Sequence, residues 1–161
     1  MILGLSVPAF TQLHTLISLI GIATGLVFLA GLLSQRWLNG WNLAFLVFTI
    51  LTSVTGFFFP IKVIGPPHIV GAISLVDLAV ALVALYGFKR SGIWRAVYTV
   101  TAVVALYLNV FVGVVQAFQK IPFLNAFAPT GSEPPFAIAQ GVTLIAFIAA
   151  GFFAVRNPAP R

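Results

Sequence analysis

Few side chains of this sequence are able to do chemistry. The chain of 161 residues has two histidines, His14 and His68, two acidic residues, Asp77 and Glu133, and no cysteine. Thiol nucleophiles, disulfides, iron–sulfur clusters and cysteine-ligated zinc are therefore excluded. A carboxylate metal site or a glycosidase pair would use all of the acid in the chain. We predict no catalytic residue and no metal site, and an enzymatic role is not favoured.

The two histidines are the first candidate site because each opens a long apolar stretch. If the stretches containing His14 and His68 cross a membrane in the same direction, both rings lie at one depth near the outer face. Two imidazoles at one depth on separate helices are what haem b ligation requires, and Gly21 and Gly25 leave room for the ring. The arrangement resembles that of small haem-binding four-helix membrane cytochromes, which implies haem b; quinone binding is the related possibility. The alternative is two interfacial histidines bonded to headgroups, water or loop carbonyls.

Asp77 is the second candidate, since an acid within an apolar stretch is costly to bury. It lies roughly 13 Å into its stretch if that stretch is helical. Asn109 lies at a similar depth in the next stretch, and no Lys or Arg accompanies them. Asp77 is therefore interpreted either as a proton or ion site, or as a structural carboxylic acid bonded to Asn109, Ser53 or Thr55.

Small and polar residues recur at helical spacing along two of the stretches. The first stripe comprises His14, Ser18, Gly21 and Gly25, and the second comprises Ala102, Ala105, Asn109, Gly113, Gln116 and Lys120. Small residues allow helices to approach closely, and polar residues hydrogen-bond across the interface. We therefore predict helix-packing contacts at Gly21, Gly25 and Gly113. Asp77, Asn109, Gln116 and Gln140 are predicted to be buried polar residues.

The composition identifies the elements that position these residues. Hydrophobic residues make up 61% of the chain and charged residues 6%, against roughly 25% charged in a soluble domain. Five apolar stretches are long enough to span a bilayer, at residues 13–33, 42–59, 68–88, 97–118 and 136–155. They show no alternation of period two, and backbone in lipid must pair internally. The sequence predicts an all-α, polytopic membrane bundle with five transmembrane helices in a single domain, residues 1–161.

The distribution of basic residues predicts the orientation. With five spans, one side holds Arg36, Lys89, Arg90, Arg95, Arg156 and Arg161, and the other holds only Lys62 and Lys120. The positive-inside rule then places the N-terminus outside and the C-terminus inside. The formal charge of +6 is explained by this asymmetry, without a nucleic-acid partner. A bacterial inner membrane is the predicted location.

One outer connection differs from an ordinary loop. Residues 119–135 hold four prolines and also the apolar side chains of Ile121, Phe123, Leu124 and Phe127. The prolines rule out a regular helix through this segment, and loops of this length are often functional. We predict that it folds back onto the outer membrane surface as an apolar lid.

Three functions are compatible with these patterns. The favoured one is a non-catalytic accessory protein or subunit, which associates with other membrane proteins or with itself in the bilayer. The second is a redox protein that binds haem b or quinone through His14 and His68. The third is a small proton-coupled transporter that uses Asp77.

Overall fold

The fold is a bundle of five long helices. The computed structural model describes residues 1–60 and 65–158. The helices are α1 (Val7–Leu33), α2 (Asn39–Gly56), α3 (Pro66–Leu82), α4 (Trp94–Lys120), the short α5 (Pro122–Asn125) and α6 (Pro134–Arg156). A π-helical turn, Val83–Gly87, continues α3. The prediction of an all-α bundle is thus confirmed, and the described ranges contain no β-strand.

Four of these helices are long and apolar enough to cross a membrane: α1, α3 with its π turn, α4 and α6. This is the composition of a multi-pass membrane protein. The helix α2 has 18 residues, with Asn39 and Asn42 in its first turn, and is not among these four. It corresponds to the second predicted span.

The helices extend beyond the predicted apolar stretches. The first was predicted to begin at residue 13, yet α1 begins at Val7 because the Ser6 hydroxyl accepts a hydrogen bond from the Ala9 N–H (3.3 Å). The fifth was predicted to begin at residue 136, yet α6 begins at Pro134, since proline fits the first helical turn. Apolarity marks the part of a helix that suits lipid, whereas caps and prolines determine where the helix ends.

The hairpin of α1 and α2 is antiparallel over the whole length of α2. Near the beginning of α1, His14 contacts Thr55 in the last turn of α2. Near the end of α1, the Phe28 ring packs edge-on against Trp37, just before α2 begins (5.2 Å between centroids). The end of α2 therefore lies beside the first half of α1, and the beginning of α2 lies beside the last half of α1.

The remaining long helices continue this alternation. The Ser53 and Ser74 hydroxyls share a hydrogen bond (3.0 Å) that joins the end of α2 to the first half of α3. The rings of Phe118 and Phe136 join the end of α4 to the beginning of α6 (5.5 Å between centroids). We name the end of the bundle that carries Arg36, Lys89, Arg90, Arg95 and Arg156 the basic end, and the other the opposite end.

The helix α4 is central, because α1, α2, α3 and α6 all pack against it. The helices α3 and α6 lie on different sides of α4 and do not contact each other. The tightly packed core occupies the half of the bundle towards the basic end, with members such as Phe28, Phe45, Leu78, Tyr98 and Leu106. Towards the opposite end, residues 107–117 of α4 are only half-buried.

Candidate functional site

His14 lies in the second turn of α1 and is tied to the end of α2. Its Nδ1 is 2.8 Å from the Thr55 hydroxyl, and that hydroxyl donates its own hydrogen to the Leu51 carbonyl (2.6 Å). The His14 Nδ1–H must therefore donate to Thr55, which leaves Nε2 as a hydrogen-bond acceptor. The ring packs edge-on against Phe59 (5.3 Å between centroids).

His68 has the opposite arrangement. It is the third residue of α3, and its Nδ1 accepts a hydrogen bond from the Gly65 N–H (3.2 Å). This bond caps the helix and leaves the ring proton on Nε2. The neighbouring ring is that of Phe57 (6.3 Å between centroids).

The two histidines thus contact different residues at the end of α2. Iron binding through Nε2 requires an Nδ1–H tautomer at each ring. His14 has this tautomer, whereas His68 would have to exchange its tautomer and lose its helix cap. Haem binding by the pair stays a prediction. In the structure His68 caps the beginning of α3, a role that the sequence pattern did not indicate.

Asp77 lies in the middle of α3. One carboxyl oxygen, Oδ2, is buried and has no hydrogen-bond partner among residues 1–60 and 65–158. Gly71 packs against Phe57, the residue that follows α2, and Ser74 bonds to Ser53 of α2. Each three-residue step rotates the helix face by about 60°, so Asp77 is turned away from α2. Among the described elements, α3 packs against α2, α4 and its own π turn, so the buried side of Asp77 faces α4.

The hydrogen bond expected between Asp77 and Asn109 is not formed. Asn109 instead donates through Nδ2 to the Thr49 hydroxyl of α2 (3.0 Å). Asp77 and Asn109 nevertheless lie at about the same depth in the bundle. The bond between Ser53 and Ser74 puts these two residues level with each other. From them, Thr49 on α2 and Asp77 on α3 both lie about one turn towards the basic end. The depths of Asp77 and Asn109 are therefore similar, but the rotation of α4 about its axis directs Asn109 to α2. The hydroxyls of Ser53 and Thr55, the other proposed partners, are bonded elsewhere.

Of the two glutamines that were predicted to be buried, Gln116 lies on α4 and Gln140 lies on α6. Gln140 of α6 donates through Nε2 to the Phe111 carbonyl of α4 (3.1 Å), and its buried Oε1 has no partner within the described part of the chain. Gln116 is half-buried on α4. Asn109 and Gln140 therefore each link two helices, and neither bond involves a histidine.

The three predicted packing glycines lie at helix contacts. A Cβ at Gly21 would be 3.5 Å from the Phe48 backbone, and one at Gly113 would be 3.3 Å from Ile22. Gly25 is the tightest, because its Cβ would be 2.5 Å from Leu106 Cδ1. Gly25 therefore lies where α1 meets both α2 and α4.

Sequence reasoning missed a polar cluster at the basic end. The Tyr98 hydroxyl donates to Asn42 Oδ1, and both side chains are buried. The Trp37 ring packs against Tyr98 (5.7 Å between centroids) and carries the Arg90 guanidinium 3.5 Å from its centroid. These residues lie at the edges of the predicted spans, where polar and aromatic side chains ordinarily indicate the membrane interface. Their burial could therefore not be predicted from their positions in the sequence.

The segment predicted as a lid contains α5 and bends back towards α4. The Asn125 amide donates to the Phe118 carbonyl (3.1 Å), and Glu133 accepts hydrogen bonds from the N–H and hydroxyl of Thr130. Phe123 and Phe127 stack edge-on and are 70% and 53% exposed. The segment therefore presents an aromatic pair outward, and its position on the membrane stays a prediction.

Residues 1–60 and 65–158 bring together no group of three or more His, Asp or Glu side chains suited to a metal ion. The chain matches no protein-family model, no curated protein and no solved structure. Its function is therefore inferred from its geometry.

Proposed function

We propose that this protein is a non-catalytic component of a membrane assembly, and that it receives a transmembrane helix of a partner between α3 and α6. The observation that carries the proposal is the absence of contact between α3 and α6, which leaves α4 uncovered on one side. We name this strip of α4 and its two walls the α3–α6 groove. The partner is another membrane protein or a second copy of the chain.

We assign Leu108 to the floor of the groove, between the faces of α4 that turn towards α6 and towards α2. Tyr107 packs against Phe147 of α6, and Asn109 bonds to Thr49 of α2. Consecutive helical residues are about 100° apart, so Leu108 faces neither α6 nor α2. It is half-buried, as expected for a side chain at the bottom of an open groove.

Asp77 provides the chemical complementarity. It lies on the α3 wall at the level of Asn109 and is only half-buried, so part of its carboxyl group is accessible to a helix in the groove. Polar groups at membrane depth are costly unless a neighbouring helix completes their hydrogen bonds. A partner helix with a hydroxyl, amide or cationic donor at this level would stabilise the complex and fix its register.

The same proposal includes five spans, with the N-terminus outside and the C-terminus inside. It is supported by the pairing of α2 with α1 along its whole length, since a helix level with a spanning helix traverses the same bilayer. The basic residues at one end of the bundle support the orientation. A bacterial inner membrane, where this rule sets topology, is the proposed location.

Photocrosslinking tests the assembly. A photoreactive amino acid replaces Leu108 in the groove or, as a control, Leu19, which is 58% exposed on α1. Irradiation in the native membrane should give one discrete adduct from position 108 and only lipid adducts from position 19. An adduct of twice the chain mass identifies a second copy. The same diffuse products at both positions would contradict a specific partner.

Asp77 also favours a second candidate function, proton-coupled transport. A carboxyl group with an unpartnered oxygen in the middle of a span is the kind of residue that binds protons in transporters. Flux in vesicles should then depend on pH in the native protein and lose that dependence in Asp77→Asn. Equal flux in both proteins would rule this candidate out.

A further inference from the structure

A cavity of about 370 Å³ opens at the basic end. It lies between the first turns of α4 and the end of α6, far from the α3–α6 groove floor. Its lining residues are Gly92, Arg95, Ala96, Thr99, Val155 and Pro158. The volume is within the range of small-ligand sites.

Arg95 gives the cavity its charge. Its side chain is half-buried, and throughout the described ranges no hydrogen bond or ion pair joins its guanidinium to another residue. The two acidic side chains of the chain are elsewhere, because Asp77 lies in the middle of α3 and Glu133 immediately precedes α6 at the opposite end. Neither acid is therefore placed to neutralise Arg95.

A second donor belongs to another residue that lines the cavity. In the first turn of α4, the N–H groups of Trp94 and Arg95 bond to the carbonyls of Ser91 and Gly92, whereas the Ala96 N–H has no backbone acceptor among residues 1–60 and 65–158. Ala96 lines the cavity. An arginine fork beside a free backbone N–H is suited to the oxygens of a phosphate group.

We propose that this cavity binds a phosphate group, carried either by an anionic phospholipid or by a soluble phosphate compound. The stacked rings of Phe88 and Trp94 (3.9 Å between centroids) lie at the same end of the bundle, as an aromatic pair does at a membrane boundary. Phe152 and Phe153 on α6 are exposed next to Val155 and offer an apolar surface for acyl chains. Basic pockets between helices at this level are suited to lipid headgroups.

Native mass spectrometry of the full chain tests the proposal. The protein in mild detergent is mixed with phosphatidylglycerol or with phosphatidylcholine, and retained lipid is counted. We expect one retained phosphatidylglycerol per chain and at least about tenfold weaker retention in Arg95→Gln, the usual scale for losing a charge-assisted hydrogen bond. Arg36→Gln is the matched control, since it removes an exposed charge from the same end. Equal loss in both variants would overturn the site.

Two further arms keep the result interpretable. Ala96→Leu fills the cavity and retains Arg95, so it should also lose the lipid, and full retention would overturn the proposal even if Arg95→Gln fails to fold. Inorganic phosphate is added as a competitor. If millimolar phosphate displaces the lipid and alone raises the thermal midpoint of the native protein but not of Arg95→Gln, the ligand is a soluble phosphate. If it does neither, the ligand is the phospholipid.

Discussion

Gly25 shows how a single residue determines the approach of three helices. A methyl group there would lie 2.5 Å from Leu106 Cδ1 and 2.7 Å from Phe45 Cδ2, and both side chains are buried. We expect Gly25→Ala to lower the free energy of unfolding in detergent by about 1–3 kcal/mol through overpacking. Gly141→Ala is the control, because a Cβ at Gly141 meets open space. Equal stability of the two variants would contradict the close contact.

The cap made by His68 provides a second prediction at the scale of the residue. His68→Ala removes the acceptor of the Gly65 N–H and should cost about 1 kcal/mol of stability, as other helix caps do. His68→Gln should recover most of this loss, because glutamine at the third helical position accepts the same bond.

The same variants test the haem hypothesis. A dithionite-reduced absorption spectrum with sharp α and β bands, lost in both His68→Ala and His68→Gln, would show that His68 is an iron ligand. Rescue of stability by glutamine, without change in the spectrum, would identify it as a helix cap.

The sequence indicates the role of a residue where geometry leaves little choice. Glycines at helical spacing were assigned to packing, and Gly25 lies at such a contact. Hydrogen-bond partners were not predictable, because the rotation of a helix about its axis depends on all of its neighbours. Asn109 therefore bonds to Thr49 rather than to Asp77.

At the scale of the element, the bond between Tyr98 and Asn42 holds the beginnings of α2 and α4 together. Tyr98→Phe leaves Asn42 Oδ1 buried without a donor and should lower the free energy of unfolding by about 1–3 kcal/mol. Tyr86→Phe is the matched control, since Tyr86 is 60% exposed in the π turn. A similar small effect of both substitutions would show that the bond contributes little.

The helices themselves were predictable because apolar runs of this length have few alternatives in a bilayer. Their termini were not, since Ser6 and Pro134 extend α1 and α6 beyond the apolar runs. The burial of Asn42 was not predictable from the sequence either, because it depends on how α2 packs against Tyr98 of α4.

The topology is a prediction about the whole molecule, and the absence of native cysteines makes it direct to measure. Single cysteines replace Ser34, Ser91 or Ser132, and intact cells are treated with a membrane-impermeant maleimide. We expect immediate labelling of Ser132→Cys, and labelling of Ser34→Cys and Ser91→Cys only after permeabilisation. Opposite accessibility of positions 34 and 91 would show that α2 does not cross the membrane.

The arrangement of helices around α4 is the feature of the whole molecule that no pattern in the sequence revealed. Five antiparallel helices can close around a core, yet here α3 and α6 stay apart. The groove follows from that arrangement, and so does the proposal of a partner helix.

The mass of the assembly extracted in mild detergent tests this proposal most directly. The native protein should migrate as a complex larger than its 17.2 kDa chain. Leu108→Trp, which fills the α3–α6 groove, should release the single chain, whereas Leu19→Trp on the exposed face of α1 should leave the complex intact. A native protein of single-chain mass, or a complex that survives Leu108→Trp unchanged, would contradict the account.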